Sequence, residues 1–187
     1  MRRMLATTTI LHLFLSLFST GPADGLRSTA PDYLTLETAQ EHLFAASIAA
    51  IAHDVDRDLL LALGHHESRY QHAAISMEAH GKVSCGVLTP IPTYDRKACA
   101  EATASPLAGY LVGARHLREW IDACRGHETC GLLGYAGGWR AIRACANGPV
   151  IIRPGVDGCQ TPQVFRWRAG LIRRAIVKAT AAPRSLS

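Results

Sequence analysis

The sequence predicts a mainly α-helical single domain with one small irregular or β-hairpin lobe, on three observations. From Pro31 onward, apolar stretches of helical length are separated by Gly and Pro breaks. The 187 residues are 48% hydrophobic and 19% charged, which suits one domain with a real core and hardly two, and excludes a disordered chain. No internal repeat or low-complexity tract divides the chain.

The N-terminus reads as a targeting segment. Met1-Arg2-Arg3-Met4 is a short basic start, Leu5 to Phe18 is an apolar run, and Ser19 to Gly25 are small and turn-forming residues. That is the layout of a secretory signal peptide, and the run is too short for a comfortable membrane span. Cleavage is expected near Gly21 to Gly25, with an uncleaved anchor as the alternative. No cysteine follows the run, which argues against a lipid anchor. Residues 1–25 are set apart as signal peptide and 26–187 as the domain.

The helices then follow in order. Leu36 to His53 is expected as a helix with Leu43, Ile48 and Ile51 inward. Asp56 can cap a second helix running to Ser68, its carboxylate accepting a backbone N–H that the first turn leaves unpaired. Tyr70 to Ser84 is polar and irregular, and Gly86, Pro90 and Pro92 bar a long helix, so a loop with a short hairpin is expected. Leu107 to Cys124 is the next helix, with Pro106 in its first turn. Leu132 to Ala136 is a short helix broken at Gly137-Gly138, and Trp139 to Ala146 resumes it. Asn147 to Gly158 reads as a loop. The last helix has Thr161 as cap and Pro162 at its first position, and runs to about Ala179. Its Arg166, Arg173 and Arg174 are expected as a solvated face.

One carboxylate stands out within this frame. Counting back in fours from Glu67 reaches Leu63 and Leu59, so Glu67 shares the face that carries leucines inward. A carboxyl group held against apolar surface stays protonated to higher pH, as a general acid requires. On this stretch alone the bland reading is the better one: a glutamate curling into solvent at the end of a core helix. His65-His66-Glu67 also invites a metalloprotease reading. However, H-E-x-x-H would need histidine where Tyr70 stands, and adjacent histidines point to different sides of a helix. No metal or other cofactor is expected. Trp120, Trp139 and Trp167 read most simply as core or packing residues, with one of them stacking on a sugar as the alternative.

Six cysteines, Cys85, Cys99, Cys124, Cys130, Cys145 and Cys159, all lie beyond the apolar leader. In an exported chain an even set reads as a disulfide framework, and no C-x-x-C pair or ligand-like Cys/His spacing supports a metal site. Among the connectivities open to six cysteines, pairing neighbours in sequence (85–99, 124–130, 145–159) is the simplest. The net charge of +5 suits an anionic partner such as a cell wall or a membrane surface. Nucleic acid is not expected, because no binding motif appears and the basic residues are scattered until the last helix.

Dispersed short motifs complete the reading. Glu67-Ser68 at a helix end is followed by Ala74-Ile75-Ser76, by Gly86-Val87-Leu88-Thr89, by Val112-Gly113-Ala114-Arg115-His116-Leu117 and by Gly134-Tyr135-Ala136-Gly137-Gly138. In this order and approximate spacing the chain, over roughly Leu43 to Trp139, resembles the lytic transglycosylases of the lysozyme-like superfamily. Their signature runs E-S, A-[IV]-S or A-[IV]-G, G-L-M-Q, G-A-x-x-L and A-Y-N-A-G. The long loop between Glu67 and Gly86, with its Gly81 turn, is most similar to the specialised subgroup that accompanies secretion and conjugation machines.

The resemblance implies a lysozyme-like fold of the goose-type kind acting as a monomer on peptidoglycan glycan strands. It implies a periplasmic or extracellular, cell-wall-associated location and a secretion or conjugation apparatus as a further partner. Glu67 would be the single acid and base, Ser76 would hydrogen-bond in the catalytic pocket, and Tyr135 would line it close to the acid, with a buried core tyrosine whose hydroxyl is satisfied as the alternative for Tyr135. Ser68, Gly86, Val87, Leu88 and Thr89 would lie along the substrate groove, Ser68 rather as a brace for the glutamate or the helix end. Ordinary glycosidases need two carboxylates. In this family the muramic acid N-acetyl group is thought to stabilise the cationic intermediate before the sugar's 6-hydroxyl attacks, so one carboxylate suffices. Neither Glu78 nor Asp95 stands at an obvious partner position.

Two positions depart from the signature. Thr89 stands where the family has Gln, and Ala136 where it has Asn. Both family residues line the glycan groove, so substrate contacts are expected to differ here. Three readings stay open: a lytic transglycosylase, a true lysozyme-like hydrolase, and a non-catalytic wall-binding or assembly protein with a drifted groove.

Overall fold

The computed structural model describes residues 20–30, 34–77, 83–89 and 96–181. These form seven α-helices, two antiparallel hairpins and a short 3-10 turn. The helices are α1 (Thr20–Arg27), α2 (Leu36–His53), α3 (Arg57–Ser68), α4 (Arg96–Thr103), α5 (Pro106–Ala123), α6 (Glu128–Ala146) and α7 (Thr161–Ala181). One hairpin joins β1 (Ile75–Met77) to β2 (Val83–Cys85), and the other joins β3 (Ile151–Arg153) to β4 (Val156–Asp157). The apolar leader up to Ser19, and Glu78, Gly81, Pro90, Pro92 and Asp95, lie outside the described residues.

The mainly helical class and the hairpin lobe agree with the sequence. Residues 147–158, expected as a loop, carry the second hairpin, β3–β4. The boundary expected at residue 25 runs through α1, whose Ala23 and Leu26 are fully buried. Gly25 lies so close to α7 that a Cβ there would sit 2.5 Å from Ile176 Cα and 2.6 Å from the Ala175 carbonyl oxygen. In the full-length chain the small residues expected as a cleavage region form a close-packing face of α1 against α7.

Helix α3 is the centre of the molecule. Leu59 to Leu63 are all 3% exposed or less, so the helix is apolar on every side, as one enclosed by neighbours must be. Asp56 caps it as expected, its side chain accepting from Leu59 N at 2.9 Å. Helix α2 packs on it with Leu43 inward as expected, but otherwise through its alanines. Its buried residues are Ala39, His42, Leu43, Ala45, Ala46 and Ala49, while Ile48 is half-buried and Ile51 is 58% exposed. The alanine side is the one that faces inward, which lets α5 lie close against α2.

Helix α5 starts as expected, with the Ser105 side chain accepting from Ala108 N at 3.1 Å and Pro106 in the first turn. Helix α6 begins earlier than the sequence suggested, at Glu128, but it breaks at Gly137-Gly138 as anticipated. Thr161 does not cap α7: its backbone is already helical, and its hydroxyl donates to the Gly158 carbonyl at 2.7 Å.

Arg173 is more than part of a solvated face. Its Nε donates to Asp58 Oδ2 at 2.7 Å and its Nη2 to Asp56 Oδ2 at 2.5 Å. Asp58, only 4% exposed, also receives two bonds from Arg57. A buried carboxylate needs such partners to remain charged, and the pair locks α7 onto the start of α3. The hydrogen bond to Asp58, then the charges of Asp56 and Asp58, raise the Arg173 pKa.

All three neighbouring cysteine pairs are bonded: Cys85–Cys99, Cys124–Cys130 and Cys145–Cys159. They join β2 to α4, the end of α5 to the start of α6, and the end of α6 to the 3-10 turn Gly158–Gln160. Among the described residues, no helix is long and apolar enough to cross a membrane.

Candidate active site

Helix α3 stops abruptly after Ser68. Arg69 and Tyr70 take left-handed backbone angles, and their N–H groups return to the last carbonyls of the helix, Tyr70 N to Gly64 O at 3.0 Å. The chain passes through the β1–β2 hairpin and comes back at Gly86, whose N–H donates to the Ala74 carbonyl at 2.8 Å. Gly86 has φ +85°, and a Cβ there would lie 2.6 Å from the Ala102 carbonyl oxygen, so glycine is required. Residues 86–89 are thus laid against the end of α3, tethered from behind by the adjacent Cys85–Cys99 bridge.

Three side-chain bonds tie this segment to the candidate acid and its surroundings. Ser68 Oγ donates to the Val87 carbonyl at 2.8 Å, with the Gly64 carbonyl at 3.2 Å. Tyr135 OH donates to the Leu88 carbonyl at 2.5 Å. Thr89 Oγ1 donates to Glu67 Oε2 at 2.8 Å. Glu67 itself is half-buried, at the open end of the leucine helix. The Tyr135 phenol, 4% exposed, has its pKa raised well above the ordinary value, first by burial and then by the negative charge of Glu67. It therefore keeps its proton and acts as a donor beside the carboxylate.

The structure places Glu67, Ser68, Thr89 and Tyr135 close together, while other expected site residues lie elsewhere. Val87 and Leu88 are fully buried, so they belong to the core and meet the site only through carbonyls already engaged. Gly86 is buried against α4, and Ser68, at 8% exposure, braces the helix end as expected. Ser76 is exposed on β1, with its Cα opposite that of Ser84, so its hydroxyl faces solvent on the hairpin. Thr89 touches the acid directly, and Ala136 is exposed just before the break in α6.

Both histidines before Glu67 reach α7. Arg168 donates to the His65 ring, and the His66 ring meets Phe165 edge-on at a centroid distance of 5.0 Å. Burial, then the Arg168 charge, lowers the pKa of both, that of His65 to about 4, so His65 packs as a neutral ring. No group of three His, Cys, Asp or Glu side chains converges as a metal site among the described residues.

An aromatic row leads away from Tyr135, and the sequence reading missed it. The His116 ring is 5.6 Å from Tyr135, His116 Nε2 accepts from Trp120 Nε1 at 3.1 Å, and Trp120 lies 5.4 Å from Trp139. The four-residue spacing of His116 and Trp120 was its one visible signal. Trp139 and Trp167 are 49% and 59% exposed, contrary to the packing role expected of them. Comparison of the chain with family models, with curated proteins and with solved structures finds no match.

Proposed function

We propose that the chain is an exported lytic transglycosylase of lysozyme-like fold, cleaving the β-1,4 bond between muramic acid and glucosamine units of peptidoglycan. The observation that carries this reading is the setting of Glu67. A half-buried carboxylate ends an apolar helix, with one oxygen held by Thr89 and the protonated Tyr135 alongside. This is what one group needs in order to give a proton and then take one back. The motif order supports the same assignment, and the net charge of +5 suits an anionic wall polymer. The basic and apolar leader together with three disulfides supports export to the periplasm or the cell exterior.

In this reading Glu67 protonates the glycosidic oxygen as the bond to the anomeric carbon breaks. The substrate's N-acetyl group stabilises the positive charge left on that carbon. The sugar's 6-hydroxyl then attacks it, its proton passing to Glu67, so a 1,6-anhydro end forms and the acid is restored. Thr89 holds the carboxylate throughout, and Ser68 and Tyr135 fix the backbone that carries Thr89.

Mass analysis of fragments released from purified peptidoglycan by the oxidised protein tests this. Anhydro-muramyl ends are expected. Reducing ends would replace the proposal with a lysozyme-like hydrolase, and retained wall binding without release would replace it with a binding module.

A further inference from the structure

Trp139 is exposed and yet rigidly backed. Gly138 has φ +64° and ψ −167°, a conformation that L side chains rarely adopt, and the break at Gly137-Gly138 re-aims the chain one turn after Tyr135. The turned segment sets the Trp139 ring against Trp120 in an edge-type contact, at a centroid distance of 5.4 Å and an interplanar angle of 63°. Such a contact covers one face of Trp139 at most. Trp120 is itself fixed. Its N–H is used by His116, and it lies so close on Gly134 that a Cβ there would be 2.2 Å from its Cε3 atom.

From these contacts we infer that Trp139 is a stacking platform for one pyranose ring of the glycan, at a subsite reached from Glu67 along Tyr135, His116 and Trp120. The inference rests on the glycan reading above and adds a binding residue to it. Continuity with the candidate site selects the occupant. The row of rings starts at Tyr135, whose hydroxyl holds the Leu88 carbonyl next to the Thr89 that binds Glu67, and ends at an indole that is 49% exposed. A pyranose offers a flat face of C–H groups that suits such an indole, while its hydroxyls remain in water. An indole held in place before binding loses little freedom when the sugar arrives. Trp167 on α7, 59% exposed, has no aromatic partner among the described residues and serves as the comparison.

The test uses the full oxidised chain carrying Glu67→Gln, so that binding is read without turnover, with the soluble tetramer of N-acetylglucosamine as probe. Adding Trp139→Ala should weaken binding about fivefold or more, the ordinary effect of truncating an aromatic anchor. Trp139→Phe should recover part of the loss, and Trp167→Ala should leave affinity unchanged. With Glu67 intact, Trp139→Ala should raise KM on peptidoglycan with a smaller change in kcat. Unchanged affinity and KM, with an unaltered melting temperature, would overturn the platform while leaving the proposed activity standing. No probe binding and no cleavage by any form would overturn both. A dimer that dissociates on Trp139→Ala would overturn the platform by assigning the indole to a contact between copies.

Discussion

Removing the Cys85–Cys99 bridge should disable the site out of proportion to its effect on stability. This bridge and Cys145–Cys159 have the same sequence separation of 14 residues. A crosslink closing a loop of this size stabilises by about 3 kcal/mol through restriction of the unfolded chain. For a chain of this length each kcal/mol corresponds to roughly 2–4 °C, so either Cys-to-Ala double variant should melt about 6–12 °C lower. The two differ in what they hold. Cys85 directly precedes the segment whose Val87 and Leu88 carbonyls and Thr89 hydroxyl engage Ser68, Tyr135 and Glu67. Cys145–Cys159 joins the far end of α6 to the turn before α7. C85A/C99A should therefore lose most glycan cleavage at a temperature where it is fully folded, and C145A/C159A should keep it. Amide hydrogen exchange gives a readout independent of activity: the Gly86 and Thr89 amides should exchange faster in the first variant only. Equal loss of cleavage in both variants, or unchanged exchange at Gly86, would refute the idea that the bridge positions this segment.

Three further outcomes are expected. Thr89→Val keeps the shape of the side chain but removes the donor to Glu67. A hydrogen bond to a charged group is worth about 1.5–3 kcal/mol, so cleavage should fall roughly 10- to 100-fold in steady-state assays, with the fold retained by circular dichroism. Asp58→Asn should destabilise by about 2–3 kcal/mol in denaturant melts. Breaking a buried pair typically costs about 3–5 kcal/mol, and the value is lower here because Arg57 and Arg173 keep 38% and 56% of their side chains exposed. His42 is 1% exposed, and burial lowers its pKa from 6.5 to about 4. The unfolded chain thus binds a proton that the native state refuses between these values. Stability is full above pH 6.5 and is lost as pH falls toward 4, by on the order of 3 kcal/mol from this residue. His42→Gln should flatten that part of the curve in thermal melts across this range.

Much of the site was legible because its signals are local. The Asp56 cap, the leucines stepping back from Glu67 and the double glycine after Tyr135 each act within a turn or two of helix, and each appears where expected. The pairing of neighbouring cysteines was equally local. What escaped depends on contacts between distant segments. Nothing near Thr89 announces its bond to Glu67, 22 residues away, and Asp58 and Arg173 meet across 115 residues. Val87 and Leu88 read as groove residues because their motif was matched, whereas tertiary packing buries them. Ile51 was assigned inward on hydrophobicity, yet the alanine face of α2 won because small side chains permit the closer approach. Helix α4 is short and half polar, and among its described side chains only Ala102 is buried, so no period marked it. In α1 the same small residues that suit a cleavage region also suit a tight helix contact, and that contact depends on the distant α7.

The most direct measurement is cleavage of purified peptidoglycan by the wild-type protein and by Glu67→Gln, read as released fragments under identical oxidising conditions. The amide keeps the shape of the acid and can still accept from Thr89, but it cannot pass a proton to the glycosidic oxygen. General acid–base assistance is worth about 10²–10⁴-fold, and in the proposed mechanism Glu67 supplies both the acid and the base. The loss should therefore sit at or above the upper end of that range, with wall pull-down and melting temperature nearly unchanged. A Glu67→Gln protein that cleaves at close to the wild-type rate would show that the glutamate is structural and that the chemistry lies elsewhere.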